Sequence, residues 1–188
     1  MLSSFISLLS YFTYFIYFFA IASGLMIILS VFHSLDKLKT SNQQTMQQET
    51  NVTNIMVRLL FGLMLITINT VSMMLATSIG VDGQFIKDPY AQLGYMNGAV
   101  PSDAELKLAL FVLTISRCMG GFALTVGLKH GQYAGHPQEQ VRKSARLRAI
   151  WGLVCGCIFI FPEFWMNLAE SYYADLSYLN GLFKRINS

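Results

Sequence analysis

The run LTISRCMGGFALTVGLKHG, Leu113 to Gly131, decides how the chain is read. From Leu113 to Leu128 its one charged residue is Arg117, and the apolar character reaches back to Leu106. A hydrocarbon core about 30 Å thick is crossed by about 20 helical residues, so we expect a spanning helix over about 106 to 128. Its start is marked by Pro101, by Ser102 or Asp103 as a cap, and by Glu105 in the first turn, where the helix dipole favours an acid. Beyond it, Gly131, Gly135 and Pro137 weaken or break the helix. A basic segment follows, RKSARLR from Arg142 to Arg148, and then a second apolar run over about 149 to 169.

The first half of the chain reads in the same terms. Residues 1 to 35 contain no Asp, Glu, Lys or Arg; as one helix they would measure roughly 50 Å, well beyond the core thickness. We therefore expect an interfacial lead-in over 1 to 12 and a span over about 13 to 35. No Lys or Arg precedes this run and its middle is crowded with Tyr11, Tyr14 and Tyr17, so a retained segment is expected rather than a cleaved signal. The stretch 36 to 54 is polar and glutamine-rich, a further span covers about 55 to 79, and Gly, Asp, Pro and Asn crowd 80 to 103. The tail, 170 to 188, is amphipathic, with Tyr172, Leu176, Leu179, Leu182 and Phe183 near one face, and is expected on the membrane surface.

The expected fold is thus an all-α integral membrane protein. Four transmembrane helices form two tandem helical hairpins, with amphipathic surface helices at the N- and C-termini. The corresponding divisions are 1–80 (lead-in and first hairpin), 81–105 (external polar loop), 106–170 (second hairpin) and 171–188 (tail). Composition agrees: of 188 residues 54% are hydrophobic and 12% charged, with mean hydropathy +0.48, against about 25% charged in an ordinary soluble domain. That largely excludes a soluble enzyme with a polar cleft and a disordered or nucleic-acid-coating chain, and a net charge of +3 is too slight to imply a polyanionic partner by itself. Lys37, Lys39 and Arg58 flank one expected loop, and Lys129, Arg142, Lys143, Arg146 and Arg148 lie in the other; together they are eight of the 13 basic residues. Basic loops stay cytoplasmic, which places loop 80 to 105 and both termini outside, against the pull of Lys184 and Arg185 in the tail.

The hairpins look like copies of each other. Arg58-Leu-Leu-Phe-Gly-Leu63 and Arg148-Ala-Ile-Trp-Gly-Leu153 both read R-x-x-aromatic-G-L and lie 90 residues apart. Gly24 lies mid-helix before the first and Gly120-Gly121 before the second, each followed by a lysine, Lys37 and Lys129. Either the unit is duplicated or each hairpin simply opens on a basic anchor and an interfacial aromatic.

Arg117 in a membrane span needs a partner, since a lone guanidinium there costs several kcal/mol. Counted from the cytoplasmic ends, Asn69 and Arg117 lie about 11 residues deep and Glu163 about 14, roughly 5 Å apart in depth. Three arrangements remain open: a polar relay or pore lining, a buried Arg117–Glu163 clamp that sets helix register, and an Arg117 facing a lumen or lipid headgroups. Small residues recur at Ala123, Gly127, Gly131 and Gly135, and at Gly152 and Gly156. Such ridges let helix backbones approach closely, within one chain or between copies.

No metal or catalytic set is expected. Cys155 and Cys157 point about 200° apart on a helix, the three cysteines lie in apolar stretches, and His33, His130 and His136 sit near the cytoplasmic ends. Glu163 beside Pro162 is a weak acid–base candidate without a second group. The Arg142–Arg148 segment is expected as a topology anchor or anionic-lipid contact, or as a docking site for a cytoplasmic protein.

Taken together, GLMIILSVFHSLDKLK, the glutamine-rich connector, the R-L-L-F-G-L opening, LTISRCMGGFALTVGLKHG and RAIWGLVCG resemble the IcmC/DotE family of Dot/Icm type IVB secretion systems and its TraQ relatives on I-type conjugative plasmids, over about residues 15 to 170. The pattern departs after Gly156, at Phe161-Pro162-Glu163. The resemblance implies a non-enzymatic bacterial inner-membrane component of a conjugation or effector-secretion machine, with no catalytic residue to carry over. Its expected partners are membrane lipid, further copies of itself and other subunits of the apparatus, with no sequence-specific contact to nucleic acid and no cofactor beyond bound phospholipid. The chain also resembles two conjugative pilin hairpins in tandem, which would instead polymerise with phospholipid into a pilus filament outside the cell. A small membrane enzyme using Glu163 is the remaining alternative.

Overall fold

The computed structural model describes residues 2–40, 52–80 and 103–187. Among these the protein is all-helical, 90% helix with no strand. The elements in order are α1 (Leu2–Thr40), α2 (Val52–Ile66), α3 (Ile68–Ile79), α4 (Ala104–Gly131), α5 (Glu139–Ile160), α6 (Pro162–Glu170), a 3-10 turn (Ala174–Leu176) and α7 (Ser177–Asn187). Two helical stretches, Ser3–Asp36 and Ala104–Gly131, are long and apolar enough to cross a membrane. There are up to four if the bent pairs α2 with α3 and α5 with α6 each make one span. Of the polar connector 36–54 and the expected external loop 81–105, residues 41–51 and 81–102 lie outside the described residues, while 36–40, 52–54 and 104–105 belong to helices.

The expected division of the N-terminal run near residue 12 is absent: α1 is one helix of 39 residues. No proline interrupts it, and several of its hydroxyls bond back to their own helix. Ser7, Thr13 and Ser34 donate to the carbonyls four residues earlier, at 3.1, 2.9 and 2.8 Å, so these three hydroxyls are satisfied on their own helix. The expected second span is divided at Thr67, with a bend of 90°. There the backbone N–H and the hydroxyl of Thr67 both converge on the Leu63 carbonyl, each at 2.9 Å, a threonine back-bond of the kind that bends helices.

At the start of α4 the Asp103 carbonyl accepts from the Lys107 N–H at 3.0 Å, placing Asp103 at the cap position with Glu105 in the first turn. The basic segment is not a loop, as expected, but the first turns of α5. The chain turns within 132–138, and the Gln138 carbonyl then opens the helix by accepting from the Arg142 N–H at 3.0 Å. Glu139 in the first turn suits the dipole and pairs with Lys143 at 2.7 Å. No glycine or proline interrupts the helix before Gly152.

The chain divides into two compact units. One comprises 1–15, 69–122 and 156–188. Its core joins Ala109 and Leu113 of α4 to Leu182 and Phe183 of α7, with Leu106, Met166 and Ile186 packed around them, and Phe5 meets Phe111 with ring centroids 5.8 Å apart. The tail is therefore amphipathic but docked. Leu182 and Phe183 are buried on α4, whereas Tyr172 and Leu179, assigned to the same face, are exposed. Asn180, only 2% exposed, explains the shift: its amide donates to Asn167 at 3.1 Å and to the Glu170 carboxylate, and so turns this side of α7 inward. The other unit comprises 16–68 and 123–155, with Ala20, Val31, Leu65, Leu124 and Leu128 fully buried.

Candidate functional site

The first of these units carries a buried ion pair built around a helix break. Pro162 lacks an N–H and its ring collides with the carbonyl one turn back, while the residue before a proline is driven out of the α region. Phe161 accordingly sits at φ −116°, ψ 56°, and α5 gives way to α6 with a bend of 72°. The break frees carbonyls at the end of α5, and two of them are met by side chains. The Ser116 hydroxyl donates to Phe159 O at 2.9 Å, and the Trp165 indole N–H donates to Cys157 O at 3.3 Å. Close approach of α4 is permitted by Gly120, where an added Cβ would lie 2.7 Å from the Ile160 nitrogen.

Ser116, Arg117 and Gly120 thus meet one break. Glu163, in the first turn of α6, receives the Arg117 guanidinium directly, Nη2 on Oε1. Both residues are closed off, at 9% and 6% exposure. The helix N-terminus adds its partial positive charge to that of Arg117 in holding the carboxylate. The Arg117 Nε is buried without an acceptor. Asn69, the third polar residue assigned to this depth, is half-buried at the start of α3, immediately after the Thr67 break, with its carbonyl oxygen enclosed.

The glycines meet within the chain, in the second unit. Gly127 of α4 lies against Gly152 of α5: a Cβ on Gly152 would fall 2.3 Å from the Gly127 Cα and 2.8 Å from the Ala123 carbonyl oxygen. Gly131 receives the Phe61 ring, 2.2 Å from where its Cβ would stand, and Gly135 lies against the backbone of Asn54. Gly156 is buried. In the first hairpin Gly24 of α1 crosses Gly62 of α2, with a Cβ on Gly24 only 2.7 Å from the Gly62 carbonyl oxygen. The glycine of each R-x-x-aromatic-G-L motif is therefore the point at which its helix crosses the preceding one. Sequence comparison aligned Gly24 with Gly120-Gly121; by contact its counterpart is Gly127.

The basic residues do separate things. Lys129 stands over the Phe19 ring, 5.3 Å from its centroid; Lys143 pairs with Glu139; Arg146 Nε donates to the Ala134 carbonyl at 3.2 Å. Arg142 is half-buried. Arg148 lines an open cavity of about 830 Å3 with His130, Tyr133 and Ser144. Cys118, Cys155 and Cys157 are free thiols, the first buried and the others half-buried. Among the described residues no three His, Cys, Asp or Glu side chains are grouped to hold a metal. Chemically, the arrangement can fix helix register in an apolar surround and offer cations to an anion. Searches against protein-family models, curated proteins and solved structures find no match.

Proposed function

We propose that the chain is a non-enzymatic membrane subunit of a bacterial type IVB secretion or conjugative DNA-transfer apparatus. In this reading it sits in the inner membrane as two tandem hairpins with both termini outside, and it acts by helix packing. The observation that carries the reading is the paired crossing, Gly24 on Gly62 and Gly127 on Gly152: the short glycine motifs behind the family resemblance are also the ones that join each pair of helices. Large apolar side chains face outward along α1, among them Phe15, Phe18, Met26 and Leu29, and exposed surface of this kind suits lipid or a neighbouring subunit. Homo-oligomer contacts would then use these bulky faces, since the glycine ridges are occupied within the chain.

The pilus reading has ridges free to meet between copies and phospholipid met by Arg117 and the basic loops; of these, the ridges and Arg117 are engaged within the chain. That internal engagement favours a subunit that stays in the membrane. Deleting the gene and measuring plasmid or effector transfer tests the proposal: transfer should fall to background, and unchanged transfer refutes it. Recovery of the chain with phospholipid in sheared filaments would install the pilin in its place. For the hairpin arrangement, cysteines at positions 47 and 138 should label from the cytoplasm and one at 97 from outside; labelling of all three from one side refutes it.

A further inference from the structure

A second cleft, about 380 Å3, opens in the unit formed by 16–68 and 123–155, between α1, Arg58 of α2 and the end of α4. Its wall is apolar, formed by Phe19, Ala22, Met26 and Ile27 of α1, all within the candidate span Ser3–Asp36. Two cations enter it, Arg58 and Lys129, and no carboxylate lines it. Arg58 donates through Nη2 to the Ser30 hydroxyl at 3.1 Å, but its Nε is buried without an acceptor. Lys129 finds the face of Phe19, and no carboxylate among the described residues pairs with it. Gln132, 6% exposed, lines the same cleft. Two cations beside an apolar wall, with no carboxylate to neutralise them, call for an anion that carries its own apolar part.

We propose that this cleft binds one anionic phospholipid. The phosphate is held by Arg58 and Lys129, and the first part of an acyl chain lies along Ala22, Met26 and Ile27. A guanidinium and an ammonium suit phosphate oxygens through charge-assisted hydrogen bonds, and the volume falls in the usual range for ligand clefts. Anionic lipid is the source that a membrane-spanning wall reaches without leaving the bilayer. The assignment does not depend on a role in secretion; it requires only that α1 and α4 lie in a membrane.

The test uses the full chain, delipidated in neutral detergent and offered phosphatidylglycerol or phosphatidylcholine, with bound lipid counted by native mass spectrometry. The wild type should retain phosphatidylglycerol about tenfold more tightly. Arg58→Gln/Lys129→Gln should bring the two lipids to near parity, whereas Lys143→Gln, which removes an exposed cation elsewhere, should keep the preference. Ala22→Leu fills the cleft without touching either charge and should also lose the lipid; if the double variant does not fold, this substitution decides. Equal retention of both lipids by the wild type overturns the proposal, as does wild-type retention by Ala22→Leu. Displacement of the lipid by inorganic phosphate at millimolar concentration would overturn it too, by showing a site for free phosphate.

Discussion

Removing either member of the Arg117–Glu163 pair should be severe, and the two losses should be unequal. Breaking a buried ion pair from one side costs about 3–5 kcal/mol, because the remaining charge is stranded. Arg117→Leu leaves Glu163 at the N-terminus of α6, where the dipole still favours the carboxylate by about 0.3–1 kcal/mol. Its loss should lie near the lower end, about 3 kcal/mol. Glu163→Leu leaves a guanidinium that cannot deprotonate and whose Nε is already buried without an acceptor, so its loss should approach about 5 kcal/mol. The double substitution replaces both charges by hydrocarbon and should recover to within about 1–2 kcal/mol of wild type. Unfolding by sodium dodecyl sulfate in mixed micelles, followed by helical circular dichroism, gives the four values. Strictly additive losses, or a greater loss for Arg117→Leu, would refute the reasoning.

Gly152→Ala places a Cβ 2.3 Å from a backbone carbon and should cost several kcal/mol by forcing α4 and α5 apart, whereas Gly181→Ala, with nothing within 4 Å, should gain up to about 1 kcal/mol from helix propensity; equal effects in the same unfolding assay would refute the crossing. Tyr178 donates to the Glu105 carboxylate at 2.6 Å, and this bond raises its pKa above the usual 10.0. A raised folded-state value means that the bond's contribution is complete below pH 10 and fades as pH climbs through the folded pKa. Limited proteolysis should therefore cut the tail faster above that pH than below it in the wild type, and Tyr178→Phe should flatten that increase.

The sequence was most legible where one residue forced a partner. A guanidinium in an apolar helix needs a partner, and counting residues along the helices put Glu163 at nearly the same depth; that the two pair, rather than line a pore or face headgroups, comes from the tertiary contact. Proline at 162 marked an interruption, but which donors would serve the freed carbonyls was not readable, because Ser116 and Trp165 matter only through tertiary approach. The break at Thr67 escaped notice for a different reason: threonine back-bonding is common in straight helices, and nothing local says when it becomes a bend. Charge misled at Arg142–Arg148. Lysine and arginine are good helix formers, so a basic stretch anchors a membrane protein equally well as the first turns of α5. The docking face of α7 was misassigned because it turns on a polar residue, Asn180, which an apolar stripe does not count.

The two donors at Phe161 also determine what kind of joint this is. In hydrocarbon a backbone carbonyl has no solvent to fall back on, so a change of angle there must supply each freed oxygen with a new donor. Ser116 reaches Phe159 from α4 and Trp165 reaches Cys157 from α6 itself, so a swing of α6 would carry the indole off its acceptor. The joint is an elbow set at 72° rather than a hinge. Proline moved by one position along the chain would displace both acceptors together, so the location of this break tolerates no drift.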